Sequence, residues 1–235
     1  MRTSLLLIPA VASAIALTAC VQSNPSVVPP AQSQLFQSRT ARPDGSGLRI
    51  FTANRNGGDV LAFKVSANGN VAPVVSIGGP NTRLNDPDSL AIDASGRIYT
   101  ADDGATKVRV FGPTANGNVK PKRTIGGSKS HLGDTEGLAI DSAGNLWVSS
   151  YSNDWITEYK VGAKRNVKPI DTISGGNTEL DSPTGMTFDS SGRLYVASTS
   201  GAAVVAFAKG ASGNAAPVVA ISGKKTRLEH PFAIA

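Results

Sequence analysis

Six acidic residues fall in three pairs on adjacent stretches of the chain, Asp86 and Asp88, Asp102 and Asp103, then Asp134 and Glu136, and could converge in the fold. Carboxylates grouped in this way offer oxygen ligands to a divalent cation. A second set, Tyr151-Ser152-Asn153-Asp154-Trp155, puts an indole beside amide and acid groups. That mixture stacks on a sugar ring or anchors a protein partner. A third set is basic, Lys224, Lys225 and Arg227 with Arg83 in register, and suits an anionic glycan or a lipid headgroup. Catalytic sets are scarcer. The only histidines are His131 and His230, and neither a Ser-centred nucleophile elbow nor a His-rich metal spacing is present. Gly126-Gly127-Ser128-Lys129-Ser130 looks like a phosphate loop but lacks its Gly-Lys-Ser/Thr spacing.

The leader sets the compartment in which this chemistry would work. Arg2 precedes an apolar stretch, Leu5 to Leu17, broken by Ser13 and Pro9. It is too short to span a bilayer and has the order of a secretory signal, here residues 1–19. It runs into Leu17-Thr18-Ala19-Cys20. This tetrapeptide resembles the lipobox of bacterial lipoproteins, which implies diacylglycerol on Cys20 and cleavage before it. Acyl chains bury methylenes at about 0.8 kcal/mol each, so the expected partner through this anchor is a membrane. Val21 rather than Asp follows Cys20, which leans toward the outer membrane in a host that has one. With Cys20 the sole cysteine, the domain has to be held by packing without a disulfide.

Residues 20–47 are rich in Pro, Ser and Gln and show no apolar period. They read as a disordered tether that would hold the domain on the order of 30 Å from the bilayer. The remainder, 48–235, repeats every 48 residues. Asn70, Asn118, Asn166 and Asn214 keep that spacing, as do Pro73, Pro121, Pro169 and Pro217, and the aromatic series Phe51, Tyr99, Trp147, Tyr195. A period of this length indicates an array of identical supersecondary units.

Each unit holds four short strand-like runs. In the unit opening at Pro87 they are Ser89–Asp93, Arg97–Ala101, Val108–Phe111 and Pro121–Ile125. Asp93-Ala94-Ser95-Gly96 and its copies join the first two runs. Asp bonds its own backbone to open the turn and Gly closes it in the left-handed region. Asn116-Gly117-Asn118 is a second hairpin signal. With no helical period anywhere, the expected fold is all-β: a β-propeller of four 48-residue, four-stranded antiparallel blades, sixteen strands in all.

Strands that alternate in direction sort the loops onto two faces. The regular turns lie on one and the loops that depart from the repeat on the other, where sites tend to be carried. Trp155, Tyr151, Asn153, Asp102, Asp103 and Glu136 are the candidate binding residues on that variable face. Trp155 stands where the repeat has Lys107 and Ala203, so the fold does not require it. The acids correspond to Ser182, Thr184, Ser150 and Ser198 in later units, so they read as solvated loop acids, and no metal, cofactor or catalytic residue is assigned. Trp147, in the aromatic column, reads as core.

The string Pro-x-x-Leu-Ala-Ile-Asp-x-x-Gly-x-Ile-Tyr-Thr-Ala-Asp at 87–102 resembles NHL repeats and, more loosely, gluconolactonase-type six-bladed propellers. The latter resemblance implies a channel calcium held by one Glu, Asn residues and an Asp. That set does not map residue by residue here. The family pattern implies six blades, where four are counted. The last run, Pro231–Ala235, could complete the blade that Leu48–Asn54 begins and close a ring. The alternative is an open arc, shortened or completed by another chain.

The net charge of +6 is interleaved with acids and forms no basic run, so nucleic acid is not an expected partner. The expected function is a non-catalytic module of the bacterial cell envelope, lipid-anchored, that binds an envelope protein or glycan. The alternatives are a calcium-dependent lactonase-like hydrolase and a truncated propeller without activity.

Overall fold

The structure, a computed structural model, describes residues 48–235 and the backbone of residues 35–36. Cys20, the leader and the rest of the tether lie outside the described residues. The secondary structure is sixteen strands and three single 3-10 turns. The strands form four antiparallel sheets of four, so the all-β, four-blade expectation holds. Blade 1 comprises β1 (Leu35–Phe36), β2 (Arg49–Asn54), β3 (Asp59–Lys64) and β4 (Val75–Gly78). Blade 2 comprises β5 (Pro87–Ile92), β6 (Ile98–Asp102), β7 (Lys107–Phe111) and β8 (Arg123–Ile125). Blade 3 comprises β9 (Thr135–Ile140), β10 (Leu146–Ser150), β11 (Trp155–Tyr159) and β12 (Asp171–Ser174). Blade 4 comprises β13 (Pro183–Phe188), β14 (Leu194–Ser198), β15 (Ala203–Phe207) and β16 (Val219–Ile221). No helix among the described residues is long and apolar enough to cross a membrane.

The turn chemistry agrees with the sequence pattern. Asp93 Oδ1 accepts the N–H groups of Ser95 and Arg97 at 2.9 and 3.0 Å, and its Oδ2 takes Arg97 Nε at 2.6 Å. Asp189 repeats the arrangement. This bonding is local, so it holds the hairpin between the first two strands of a blade without help from the two outer strands.

The core lies between blades. Phe51 packs with Leu90 and Ile98 of blade 2, Tyr99 with Leu138 and Leu146 of blade 3, and Trp147 with Met186 and Leu194 of blade 4. The second strand of each of the first three sheets thus drives an aromatic ring against the next sheet. Tyr99 and Trp147 are buried, and Trp147 meets Phe188 edge-on at 5.7 Å, a favourable aromatic geometry. Tyr195 in blade 4 is only half-buried, with the Arg193 guanidinium over its ring at 5.7 Å.

The recurrent asparagines have a second purpose besides turning the chain. Asn118 Oδ1 accepts the Asn81 N–H of blade 1 at 2.7 Å, Asn166 that of Lys129 at 2.7 Å, and Asn214 that of Asn177 at 2.8 Å. Each Asn clips the glycine turn of the preceding unit. The fit is close enough that a Cβ on Gly127 would lie 2.7 Å from Asn166. Backbone pairing adds to the clip: Arg165 N–H bonds Thr124 O at 2.5 Å and Gly126 N–H bonds Arg165 O at 3.1 Å. The outer strand of one blade is therefore covered by the hairpin of the next, which removes a reactive strand edge.

The first sheet is completed by β1, where Phe36 pairs with Phe51. The closing strand considered for Pro231–Ala235 is not formed. That segment instead runs along β13: Gly185 N–H bonds Phe232 O at 2.8 Å, and Thr199 Oγ1 bonds Pro231 O at 2.7 Å. It occupies the place beside β13 that β13 itself occupies beside β9. Two residues of the segment read as a tether thus supply the strand that repeat arithmetic assigned to the other end.

Candidate functional site

The innermost strands β5 and β9 begin with the same repeat position carrying an acid, Asp88 and Glu136, which stand 48 residues apart. The 3-10 turns after β2 and β6 likewise begin with matched residues, Arg55 and Asp103. Because the blades fan out from one axis, these two columns meet. Carboxylate oxygens of Asp88, Asp103 and Glu136 lie within 4.8 Å of one another. Arg55 bridges two of them, at 2.6 Å to Asp88 Oδ1 and 3.2 Å to Asp103 Oδ2. Asp103 also accepts the Thr135 backbone N–H. The reading of this set as solvated loop acids is corrected for these three. Asp88 is 7% exposed, because the strand start on which it sits is enclosed by the turns of its neighbours.

The electrostatics come from burial and crowding. Burial pushes Asp88 up to about 7, against the pull of Arg55 and with the help of Asp103. Burial, then Asp88 and Asp103, pushes Glu136 up to about 8. Asp103 is also raised, by burial, with Arg55 opposing. Burial would lower the Arg55 guanidinium, but Asp88, Glu136 and Asp103 outweigh it and leave it raised. Three carboxylates against one guanidinium leave a deficit of two positive charges, which two protons or one divalent cation would cancel.

Unsatisfied oxygens identify the same place. Among the described residues, the buried side-chain oxygens without a partner are Asp88 Oδ2, Ser89 Oγ, Thr135 Oγ1 and Glu136 Oε2. They belong to two dipeptides, one at the start of each inner strand. Buried polar groups are ordinarily paired, and two of these orphans, Asp88 Oδ2 and Glu136 Oε2, belong to the carboxylate cluster itself, which suits something that supplies positive charge. All the donors are oxygen, which suits a hard cation such as calcium, magnesium or manganese.

The other candidates are placed differently. Asp102 is fully buried and committed to structure: it pairs with Arg109 at 2.5 Å and accepts the Asn85 N–H at 2.5 Å. Its copy Ser198 takes the Asp181 N–H in the same way, so this column holds the loops leading into blades 2 and 4. Asn153 Oδ1 accepts from Ser150 Oγ at 2.9 Å, and a Cβ on Gly133 would lie 2.0 Å from that oxygen. Tyr151 is half-buried and donates its N–H to Asp134 O. Trp155 opens β11, opposite Ser150, whose other neighbour is Thr135. It is half-buried, its ring tilted against His131 at 6.2 Å, with its Nε1 buried and unpartnered. It lies two strands out from the carboxylates, so the structure brings Asp103 and Glu136 together and leaves Trp155, Tyr151 and Asn153 outside the cluster. Arg55 is absent from the sequence-based set, although its spacing of 48 from Asp103 was a usable signal.

This arrangement of radial sheets decides the architecture. The fold is a β-propeller. Similar solved structures agree. A catalytically inactive virginiamycin B lyase from Staphylococcus aureus, bound to quinupristin, superposes with a TM-score of 0.57 at 12% identity over 87% of this chain. A 6-phosphogluconolactonase-like protein from Bacteroides uniformis gives 0.52 at 15% identity over 81%. A protein of unknown function from Bacteroides caccae gives 0.51 at 11% over 74%. The chain spans 59%, 60% and 56% of those propeller-like proteins. The sequence matches no family model and no curated protein. At such identities the likeness is one of fold.

Proposed function

We propose that this propeller is a non-catalytic binding module of the bacterial cell envelope, held to the membrane through Cys20, whose variable face carries a divalent cation. Asp88, Asp103 and Glu136 hold the ion, and Arg55 fixes the first two carboxylates in position. The unpartnered, buried carboxylate oxygens of that cluster, Asp88 Oδ2 and Glu136 Oε2, are the observation that carries this reading. A cation held there gives a fixed positive centre to which hydroxyl or carboxylate oxygens of an envelope glycan or protein bind. Trp155 serves as a flanking contact.

The test is the melting temperature of the full chain with calcium, magnesium or manganese in turn, and with chelator. A cation present at a hundred times its Kd stabilises by about 2.7 kcal/mol, or about 5 °C or more for a domain of this size. That shift should vanish in Glu136→Gln. Identical melting with all three ions and with chelator would overturn the cation site. The second reading, a calcium-dependent lactonase-like hydrolase, draws on the same three carboxylates. Calcium-dependent hydrolysis of sugar lactones, lost in Glu136→Gln, would replace the binding-module reading.

A further inference from the structure

A second site lies at the outer edge of the propeller, away from the inner strands that carry the carboxylates. Between β8 of blade 2 and the turn after β11 of blade 3 runs a cleft of about 450 Å³. Its charged lining is wholly basic: Arg83, Lys120, Lys122, Arg123, Lys164 and Arg165. Among the described residues none of the six forms a salt bridge. Arg123 alone has a side-chain partner in the fold, the Tyr99 hydroxyl at 3.0 Å.

The fold does not ask for this charge. The matching cleft between blades 1 and 2 has Ala72 and Val74 for Lys120 and Lys122, and Asn116 and Gly117 for Lys164 and Arg165. Between blades 3 and 4 those positions read Lys168, Ile170, Ser212 and Gly213. Arg165 is the most telling. Its position is left-handed in every blade, with φ of 73° at Gly69, 72° at Gly117, 64° at Arg165 and 60° at Gly213. Three copies use glycine, which adopts that conformation freely, while the third blade accepts the steric cost of an arginine. A residue that opposes its backbone preference and faces a cluster of unpaired cations marks a place where charge is wanted.

We propose that this cleft binds a ligand carrying clustered phosphate groups. Guanidinium and ammonium groups converging from two blades match several phosphate oxygens at once, Arg through paired N–H donors and Lys as point charges. The volume suits a ligand of small-molecule size.

The experiment is calorimetric titration of the full chain with tripolyphosphate, orthophosphate and glycerophosphoglycerol, a soluble single-diester headgroup. Tripolyphosphate should bind at least about tenfold more tightly than either of the others, and more weakly as salt rises. The double variant Lys164→Asn, Arg165→Gly restores the turn of blade 2. It should lose about tenfold or more in tripolyphosphate affinity, with melting unchanged or raised, since glycine relieves the left-handed strain. Should that variant fail to fold, Lys122→Ser, on an exposed side chain, should show the same loss. Equal affinity for the three anions, no binding, or binding unchanged by these substitutions would overturn the proposal.

Discussion

Arg55→Met should cost about 3–5 kcal/mol of stability at about pH 9 and far less at about pH 5. Arg55 is the cation that bridges Asp88 and Asp103, and Asp88 is almost wholly buried. Removing it leaves a buried carboxylate with no counter-charge, facing Asp103 and Glu136. The direction with pH is set by the protons. Asp88 rises from an ordinary 3.8 to about 7 and Glu136 from 4.5 to about 8. Between those limits the folded protein binds more protons than the unfolded chain, so stability falls as pH climbs through the window and is fully present below it. At about pH 5 Asp88 and Glu136 are neutral, and the loss of Arg55 takes the counter-charge only from Asp103, the more exposed of its two partners. The wild type should show the same trend more gently, and calcium should restore both proteins at the alkaline end. Urea denaturation of wild type and variant at the two pH values measures this. Equal losses at both would show that the acids do not share one electrostatic site.

Gly137→Ala should be as damaging by a different route. A Cβ there would lie 1.9 Å from Thr184 O and 2.7 Å from Ser149 Oγ. Neither can yield, because Ser149 Oγ receives the Gly137 N–H at 2.7 Å and donates to Thr184 O at 2.8 Å. The methyl group would force β9 and β13 apart, separating the apolar layer between blades 3 and 4 that contains Trp147 and Met186. Overpacking of this kind costs typically about 1–3 kcal/mol, and loss of the buried hydrogen bonds adds about 1–3 kcal/mol more. Gly176→Ala is the control: nothing stands within 4 Å of its Cβ position, and its expected effect is within about 0.5 kcal/mol. A Gly137→Ala protein that denatures alongside Gly176→Ala would show that the inner strands have room to spare.

The repeat made the blades legible because every structural demand recurs in register. The Asp turn, the aromatic ring driven into the next blade and the Gly-bearing hairpin each answer one requirement, met in successive units. The site was harder to read because it consists of departures from the repeat. Which loop acids converge depends on how the blades fan around their axis, a property of the packed sheets. Asp102 and Asp103 are neighbours in the chain, yet one faces Arg109 inside the blade and the other faces Arg55 and Glu136 across blades. Composition treats them alike. Arg55 escaped notice because its charge is opposite to that of the group it organises. At the first inner strand, the repeat misleads. It assigns the place beside Phe51 to the final run, Pro231–Ala235, which lies along β13. Phe36 pairs there instead.

The clips between blades bear on how the molecule opens. Each hairpin protects the outer edge of the sheet before it, as Arg165 protects Thr124 and Gly213 protects Thr172, so protection passes along the chain in one direction. Stability in such an array is a sum of internal and nearest-neighbour contributions, and opening proceeds from the least-supported end. Among the described residues β16 is the outer strand with no hairpin bonded along it, and Val218 before it and Ile221 within it are exposed. Amide hydrogens of blade 4 should therefore exchange with solvent before those of blades 2 and 3, whose neighbours hold them on both sides. The proposed cation site, whose carboxylates lie on blades 2 and 3, sits within the slow-exchanging portion. Excursions that fray the far blade would leave its carboxylates assembled.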